Sequence, residues 1–237
     1  MEFAGLVTQS LVDYPGEIAA VLFTRGCNIR CPFCHNPHLL VRTSRNTEPS
    51  VTMPEVVDFL QEHKGFLDAV VITGGEPTLH PELPDAIRVI KSLGYLVKLD
   101  SNGTNPVMLR QLMEEQLLDY VALDIKAPLD YRKYSSACGK LSAEDFFNIR
   151  SSVNLLINSS IQVEFRTTVV PLLHTPEDIE SIANYIKGMP LYTLQQFNPS
   201  VTWDAAYGDI VPYSREKMQA IANLAAAYVQ QVRIVNI

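Results

Sequence analysis

The sequence has no apolar run long enough to cross a bilayer. Its longest, around Ala220 to Val229, is about half the length a spanning helix needs and contains Asn223. The amino-terminal stretch MEFAGLVTQSLVDYPG lacks a basic head and an apolar core, so no export signal is expected and the cytoplasm is the expected compartment. There is no basic excess either. Lys plus Arg is 19 against 26 Asp plus Glu, a net charge of -7, so the positive stripe with which a general nucleic-acid binder neutralises phosphates is missing. Low-complexity stretches and fixed-period repeats are lacking too. Cysteine is scarce: there are four, with Cys27, Cys31 and Cys34 close together and Cys138 more than a hundred residues on. A disulfide framework is not spaced like this. In a reducing compartment a tight trio of thiols reads as a metal site, and Cys138 as a loop thiol outside it.

What is present is a core. The chain has 237 residues, 47% hydrophobic and 19% charged, which excludes disorder as the main state. That length suits one large domain or two small ones, and an α/β barrel of this size ordinarily runs as one. A single domain over 1–237 is expected, its core at about 15–200, with a C-terminal helix and short strand in 212–237. Apolar runs rich in Val, Ile and aromatic residues predict strands at Ile18–Thr24, Ala69–Thr73, Tyr95–Asp100, Tyr120–Ile125, Ile161–Val169, Leu191–Phe197 and Val232–Val235. Between them lie helix starts at Thr52 (with Glu55 completing a capping box), Pro81, Pro106, Ser142, Pro176 and Ser214, and Gly94 stops the helix begun near Pro81. Strands alternating with helices predict a parallel sheet with right-handed crossovers, either a partial (β/α)6 TIM-like barrel or a doubly wound open sheet.

Most predicted strands end in a polar or glycine-rich cluster: Arg25-Gly26-Cys27, Gly74-Gly75-Glu76, Asp100-Ser101-Asn102, Asp124-Ile125-Lys126, Arg166-Thr167, and Gln195-Gln196 with Asn198. Active sites of parallel α/β folds gather at the carboxyl ends of strands, although loops are also polar simply because they are wet. The spacing C-x3-C-x2-C in CNIRCPFC lets three thiolates take three corners of a cubane iron–sulfur cluster, leaving the fourth iron open to a ligand. The competing reading is a structural zinc site completed by His35 or Cys138.

With that cysteine motif after the first predicted strand and Gly74-Gly75-Glu76-Pro77 after the second, the sequence resembles the radical S-adenosylmethionine (radical SAM) enzymes. LVDYPG at Leu11–Gly16, FTRGC at Phe23–Cys27, CHNP at Cys34–Pro37, LDSNGT at Leu99–Thr104 and ALDIKAP at Ala122–Pro128 resemble the glycyl-radical-enzyme activating proteins. The Asp-Tyr-Pro-Gly variant is most similar to activators of anaerobic ribonucleoside-triphosphate reductase. The pyruvate formate-lyase activating enzyme, with Gly where Tyr14 stands, is also similar. The likeness fades after about Phe197, and no second cysteine-rich insert is present.

The resemblance implies a partial barrel of radical SAM type and a [4Fe-4S] cluster on Cys27, Cys31 and Cys34. It implies reductive cleavage of S-adenosylmethionine to a 5′-deoxyadenosyl radical, which takes a hydrogen from a glycine of a glycyl radical enzyme, with flavodoxin or ferredoxin as electron donor. Cofactor contacts are implied at Phe33, His35, Gly74, Gly75, Glu76, Asp100, Ser101, Asp124, Lys126, Arg166 and Asn198. A monovalent cation is implied at Asp100 and Asp124, and partner binding at Asp13. The residues themselves leave plainer readings open: a tight turn for the glycine pair, a Glu164–Arg166 ladder pair for Arg166, local capping for Asp13 and packing for Tyr14. A radical enzyme acting on another peptide or a small metabolite, or a zinc-held adaptor without catalysis, are the alternative functions.

Overall fold

The computed structural model of the chain describes residues 1–40 and 50–236. Its elements in chain order are β1 (Glu2–Phe3), β2 (Gly5–Ser10), β3 (Ala19–Thr24), β4 (Val51–Thr52), α1 (Met53–Glu62), β5 (Ala69–Gly74), α2 (Leu83–Ser92), β6 (Leu96–Ser101) and α3 (Pro106–Glu114). They continue with β7 (Tyr120–Asp124), α4 (Tyr131–Cys138), α5 (Ala143–Ile157), β8 (Gln162–Val169), α6 (Pro176–Tyr185), β9 (Leu191–Gln196), α7 (Arg215–Ala225) and β10 (Gln231–Val235). The seven strands expected from apolar runs are all present, with boundaries within one residue of those expected.

The chain divides into two compact units, interleaved in sequence. The first comprises Met1–Asn28, His38–Ser101 and Val107–Val121; the second comprises Ile29–Pro37, Asn102–Pro106 and Ala122–Ile237. In the first, β3 pairs in parallel with β5 and β5 with β6, so that Thr24 stands opposite Gly74 and Ile72 opposite Leu99. Val70, Val71, Ile72 and Leu99 of these strands and Ile87 and Ile90 of α2 are fully buried. Each such side chain contributes about 1.5–3 kcal/mol relative to leaving it in water. In the second unit β8, β9 and β10 pair in parallel, with Arg166 opposite Thr193. Helices α6 and α7 pack on one another, and α7 packs on β10.

Local chemistry sets the helix starts. Thr52 accepts from the Glu55 amide while the Glu55 carboxylate accepts from the Thr52 amide at 2.7 Å, the expected capping box. Ser142 with Asp145 and Thr175 with Asp178 repeat the arrangement, and Ser214 caps α7. Three features depart from expectation. Strand β2 pairs antiparallel to β3, with a register shift between Val7 and Ser10; its Val7 is exposed, so it has no buried face to announce it. Helix α2 begins at Leu83, two residues past Pro81, without a side-chain cap. Finally, Asp130 caps a short helix, α4, whose last residue is Cys138. That cysteine is therefore not a loop thiol, and it is fully buried.

Candidate functional site

In the first unit, the ends of β3 and β5 approach more closely than side chains would permit. Gly74 has φ +115°, and a Cβ there would lie 2.5 Å from the Thr24 amide nitrogen. On Gly75 a Cβ would lie 2.0 Å from the Gly26 carbonyl oxygen. The Gly75 amide donates to the Thr24 carbonyl at 2.9 Å, and the Glu76 amide to the Gly26 carbonyl at 2.8 Å. What these glycines make room for is protein backbone, the segment that leads into Cys27. His80 braces the same segment, its Nε2 lying 2.9 Å from the Arg25 carbonyl oxygen.

Glu76 is buried and serves the loop. Its Oε1 accepts from the Thr78 amide (3.1 Å), the Thr78 hydroxyl (2.5 Å) and the Ser101 hydroxyl (2.9 Å). The Ser101 bond ties the loop after β5 to the end of β6, where Asp100 stands. Two residues earlier on β6, Lys98 is buried; its Nζ lies 2.9 Å from Asp100 Oδ1 and donates to the Asp13 carbonyl at 2.6 Å. The Asp13 carboxylate accepts from the Ser10 hydroxyl at 2.5 Å, and that hydroxyl accepts from the Val12 and Asp13 amides. Leu11 and Val12, just before it, are exposed. Tyr14 is packed against Tyr120 with ring centroids 5.5 Å apart. Burial, reinforced by the nearby charge of Asp119, pushes its phenol up to about 12.

In the second unit, the loop carrying Cys31 and Cys34 rests on the end of α4. The Arg30 amide donates to the Cys138 carbonyl at 2.9 Å, and the Cys34 amide donates to the Cys31 carbonyl at 3.0 Å. Gly139 has φ +66°, and a Cβ there would lie 2.2 Å from the Arg30 carbonyl oxygen. A hydrogen bond with the Cys138 thiol holds Cys31 below its usual range, outweighing burial, whereas burial pushes Cys34 up. Phe33 is buried between them in sequence. His35 is exposed and stacks on Phe197 at 6.2 Å. Asn198 is exposed as well, and its Oδ1 accepts from the Ser200 amide at 3.0 Å.

Asp124 is the hub of this unit. Its Oδ1 accepts from Arg166 Nε at 2.8 Å and its Oδ2 from Lys126 Nζ at 2.9 Å. Burial alone would raise the carboxyl, but the two cations outweigh it and hold Asp124 far below the usual carboxylate range. Burial alone would lower Lys126, but Asp124 and Cys31 together outweigh it and hold Lys126 above its usual range. Arg166 thus pairs across to Asp124, while Glu164 accepts from Arg233 Nη2 at 2.6 Å and also from the Thr193 hydroxyl. The Lys126 backbone is fixed from two sides. Its amide donates to the Tyr134 hydroxyl at 3.1 Å, and its carbonyl lies 2.8 Å from His174 Nε2. His174 Nδ1 accepts from the Val170 amide, so Nε2 carries the proton.

His80, Lys98, Tyr134 and His174 escaped sequence reasoning. Each is a lone polar residue whose partner is a distant backbone group or lies in another segment, and no spacing announces that. Among the described residues, no three or more His, Cys, Asp and Glu side chains are gathered as around one metal ion. As a donor set, three thiols on a loop outside helix and strand fit an iron–sulfur cluster, because soft thiolates suit such clusters and each can take a separate iron.

Residues 21–186 match the Radical SAM superfamily. The chain is 35% identical to a protein of Methanocaldococcus jannaschii named as a glycyl-radical enzyme activating enzyme, over 98% of this chain and 94% of that one. It is 31% identical to the pyruvate formate-lyase-activating enzyme of Clostridium pasteurianum, over 77% of this chain and 74% of the other. Among solved structures it is similar to a radical SAM methyltransferase from Sphaerobacter thermophilus, with TM-score 0.69 and 17% identity over 93% of this chain and 67% of that one, a likeness of fold alone. A family of enzymes sets aside the zinc-held adaptor. The α/β fold with parallel strands and the match across most of the chain agree, and the chain belongs to the radical SAM superfamily, among its glycyl-radical-enzyme activating enzymes.

Proposed function

We propose that this enzyme activates an anaerobic ribonucleoside-triphosphate reductase by installing a glycyl radical on it. The observation that carries the reading is that, within each unit, the backbone next to a cysteine of the trio is held by a contact that only glycine permits. Gly75 lies against Gly26 beside Cys27, and Gly139 against Arg30 beside Cys31. Cys27, Cys31 and Cys34 would hold the [4Fe-4S] cluster and leave one iron for the amino and carboxylate groups of S-adenosylmethionine. Bound there and reduced, the cluster would supply the electron for cleavage of S-adenosylmethionine, the source of the 5′-deoxyadenosyl radical that would take a hydrogen atom from the partner's glycine.

The chain's own residues have distinct tasks in this reading. Asp124 orients Lys126 and Arg166, two cationic side chains suited to an anionic cofactor group. Glu76 and Ser101 hold the Gly74–Gly75 backbone and the end of β6 together under the methionine part. Phe33 keeps water from the cluster, His35 offers its backbone to the adenine edge, and Asn198 serves the ribose. Asp13, beside the exposed Leu11 and Val12, meets the partner's glycine loop; Tyr14 in the Asp-Tyr-Pro-Gly motif favours the reductase as that partner. The electron comes from a flavodoxin or ferredoxin in the cytoplasm, where thiols stay reduced. Residues 1–237 act as one radical SAM domain with its core at about 15–200, since the family match spans segments of both units. A monovalent cation at Asp100 and Asp124 finds less support, because each carboxylate already has a protein cation beside it.

Anaerobic reconstitution with iron and sulfide, followed by S-adenosylmethionine, reductant and the reductase, tests the reading. A glycyl radical signal on the reductase, lost in a Cys27→Ala, Cys31→Ala or Cys34→Ala variant, supports it. Cofactor cleavage without any radical on the reductase would move the assignment to another peptide or a small metabolite.

A further inference from the structure

Lysine in the interior of a parallel strand is costly, because burial removes the ammonium from water. Lys98 sits in the middle of β6, opposite Val71 of β5, and is 2% exposed. Its neighbours account for its charge. Nζ lies 2.9 Å from Asp100 Oδ1 and 2.6 Å from the Asp13 carbonyl oxygen, and 5.6 Å from the centre of the Tyr120 ring. A carboxylate oxygen and a backbone carbonyl are the donors that a hard cation takes from a protein, and an aromatic face completes a site suited to an ammonium. All of these groups lie in the first unit.

We propose that Lys98 is a built-in cation that takes the place of a bound monovalent metal at Asp100 and couples the Asp13–Gly16 segment to that carboxylate. The inference rests on the proposed placing of Asp100 beside S-adenosylmethionine. A mobile metal ion would leave Asp100 charged and uncompensated whenever it dissociated. A tethered ammonium cannot leave, so Asp100 keeps one orientation whatever salt is present. The same ammonium fixes the backbone of Asp13, so the segment proposed to meet the partner and the strand end proposed to meet the cofactor share one anchor. Lys98 is a positioning residue: it acts through Asp100 and through the Asp13 carbonyl.

The test is equilibrium binding of S-adenosylmethionine to the reconstituted enzyme in sodium, potassium, ammonium and tetramethylammonium chloride at equal ionic strength. The wild type is expected to bind with the same dissociation constant in all four, within about twofold. Lys98→Ala is expected to bind roughly tenfold more weakly in tetramethylammonium and to recover in potassium or ammonium, whose small cations can enter the vacated space. Lys98→Met combined with Asp100→Asn removes both charges and is expected to show no salt selectivity. Dependence of the wild type on potassium or sodium would overturn the proposal by itself, even if Lys98→Ala did not fold. Lys98→Ala binding that is equally weak in every salt would overturn it too. Asp100→Asn separates the role of Asp100 from that of Lys98: unchanged affinity there would remove Asp100 from the cofactor site, whereas weakened affinity with a salt-insensitive Lys98→Ala would sink the role of Lys98 alone.

Discussion

Arg166 Nε donates to Oδ1 of Asp124 at 2.8 Å, joining β8 to the end of β7 through a carboxylate that Lys126 grips from its other oxygen. Because the native carboxyl is held below its unfolded value of 3.8, these pairs contribute fully above about pH 4, and their contribution is lost as pH falls from there toward the native value. Acid unfolding followed by circular dichroism should therefore show a stability slope below pH 4 that Asp124→Asn flattens. Arg166→Met should cost about 1 kcal/mol at pH 7, the usual worth of one hydrogen bond, because Asp124 is half-buried and keeps Lys126 as a partner. An unchanged acid slope in Asp124→Asn would show that the pair does not govern it.

Gly75→Ala places a Cβ 2.0 Å from the Gly26 carbonyl oxygen, and backbone must move to admit it. A loss of about 1–3 kcal/mol is expected, as for other overpacking substitutions. Because Gly26 precedes Cys27, iron bound per chain after reconstitution should fall as well. Full iron loading with an unshifted melting temperature would mean that the contact yields freely.

Cys138→Ala should retain four irons per chain, whereas Cys31→Ala should lose the cluster. The Cys138 variant still carries a signature. Its thiol hydrogen-bonds with Cys31, and hydrogen bonds to cluster sulfur raise a reduction potential. A redox titration should therefore place the variant below the wild type. Loss of iron from the Cys138 variant would refute the assignment of ligands to the trio.

Asp13→Ala breaks the bond to the Ser10 hydroxyl and should cost about 1 kcal/mol of stability. Iron content and S-adenosylmethionine affinity should stay at wild-type levels, while radical yield on the reductase collapses. Ser10→Ala loses the same bond but keeps the carboxylate, so it should retain most of that yield. Equal yields in wild type and Asp13→Ala would leave the carboxylate a purely local role.

The parallel strands were legible because buried runs such as AVVIT at 69–73 and YVALD at 120–124 are apolar throughout. The capping boxes at Thr52 and Ser142 were equally plain. Strand β2 was not, since an exposed edge strand needs no apolar pattern. Helix α4 was missed because YRKYSSAC is short and polar, and its stability comes from the Asp130 cap and from burying Tyr134 and Cys138. The cysteine trio, the glycine pair and the acidic strand ends could be read from spacing and resemblance. What Gly75 opposes could not, because its partner Gly26 is 49 residues away in sequence. Lys98 is the clearest omission: in LVKLDS it looks like one polar residue in an apolar strand, and only the fold places the Asp13 carbonyl beside it.

In the proposed reaction the enzyme moves a hydrogen atom from a glycine of the partner to the 5′-deoxyadenosyl carbon. The most direct measurement uses a reductase carrying glycine deuterated at the α carbon, with mass spectrometry of the 5′-deoxyadenosine released. One deuterium in that product, appearing in step with the glycyl radical, is the predicted result. A 5′-deoxyadenosine free of deuterium, formed while the reductase stays without a radical, would contradict the account.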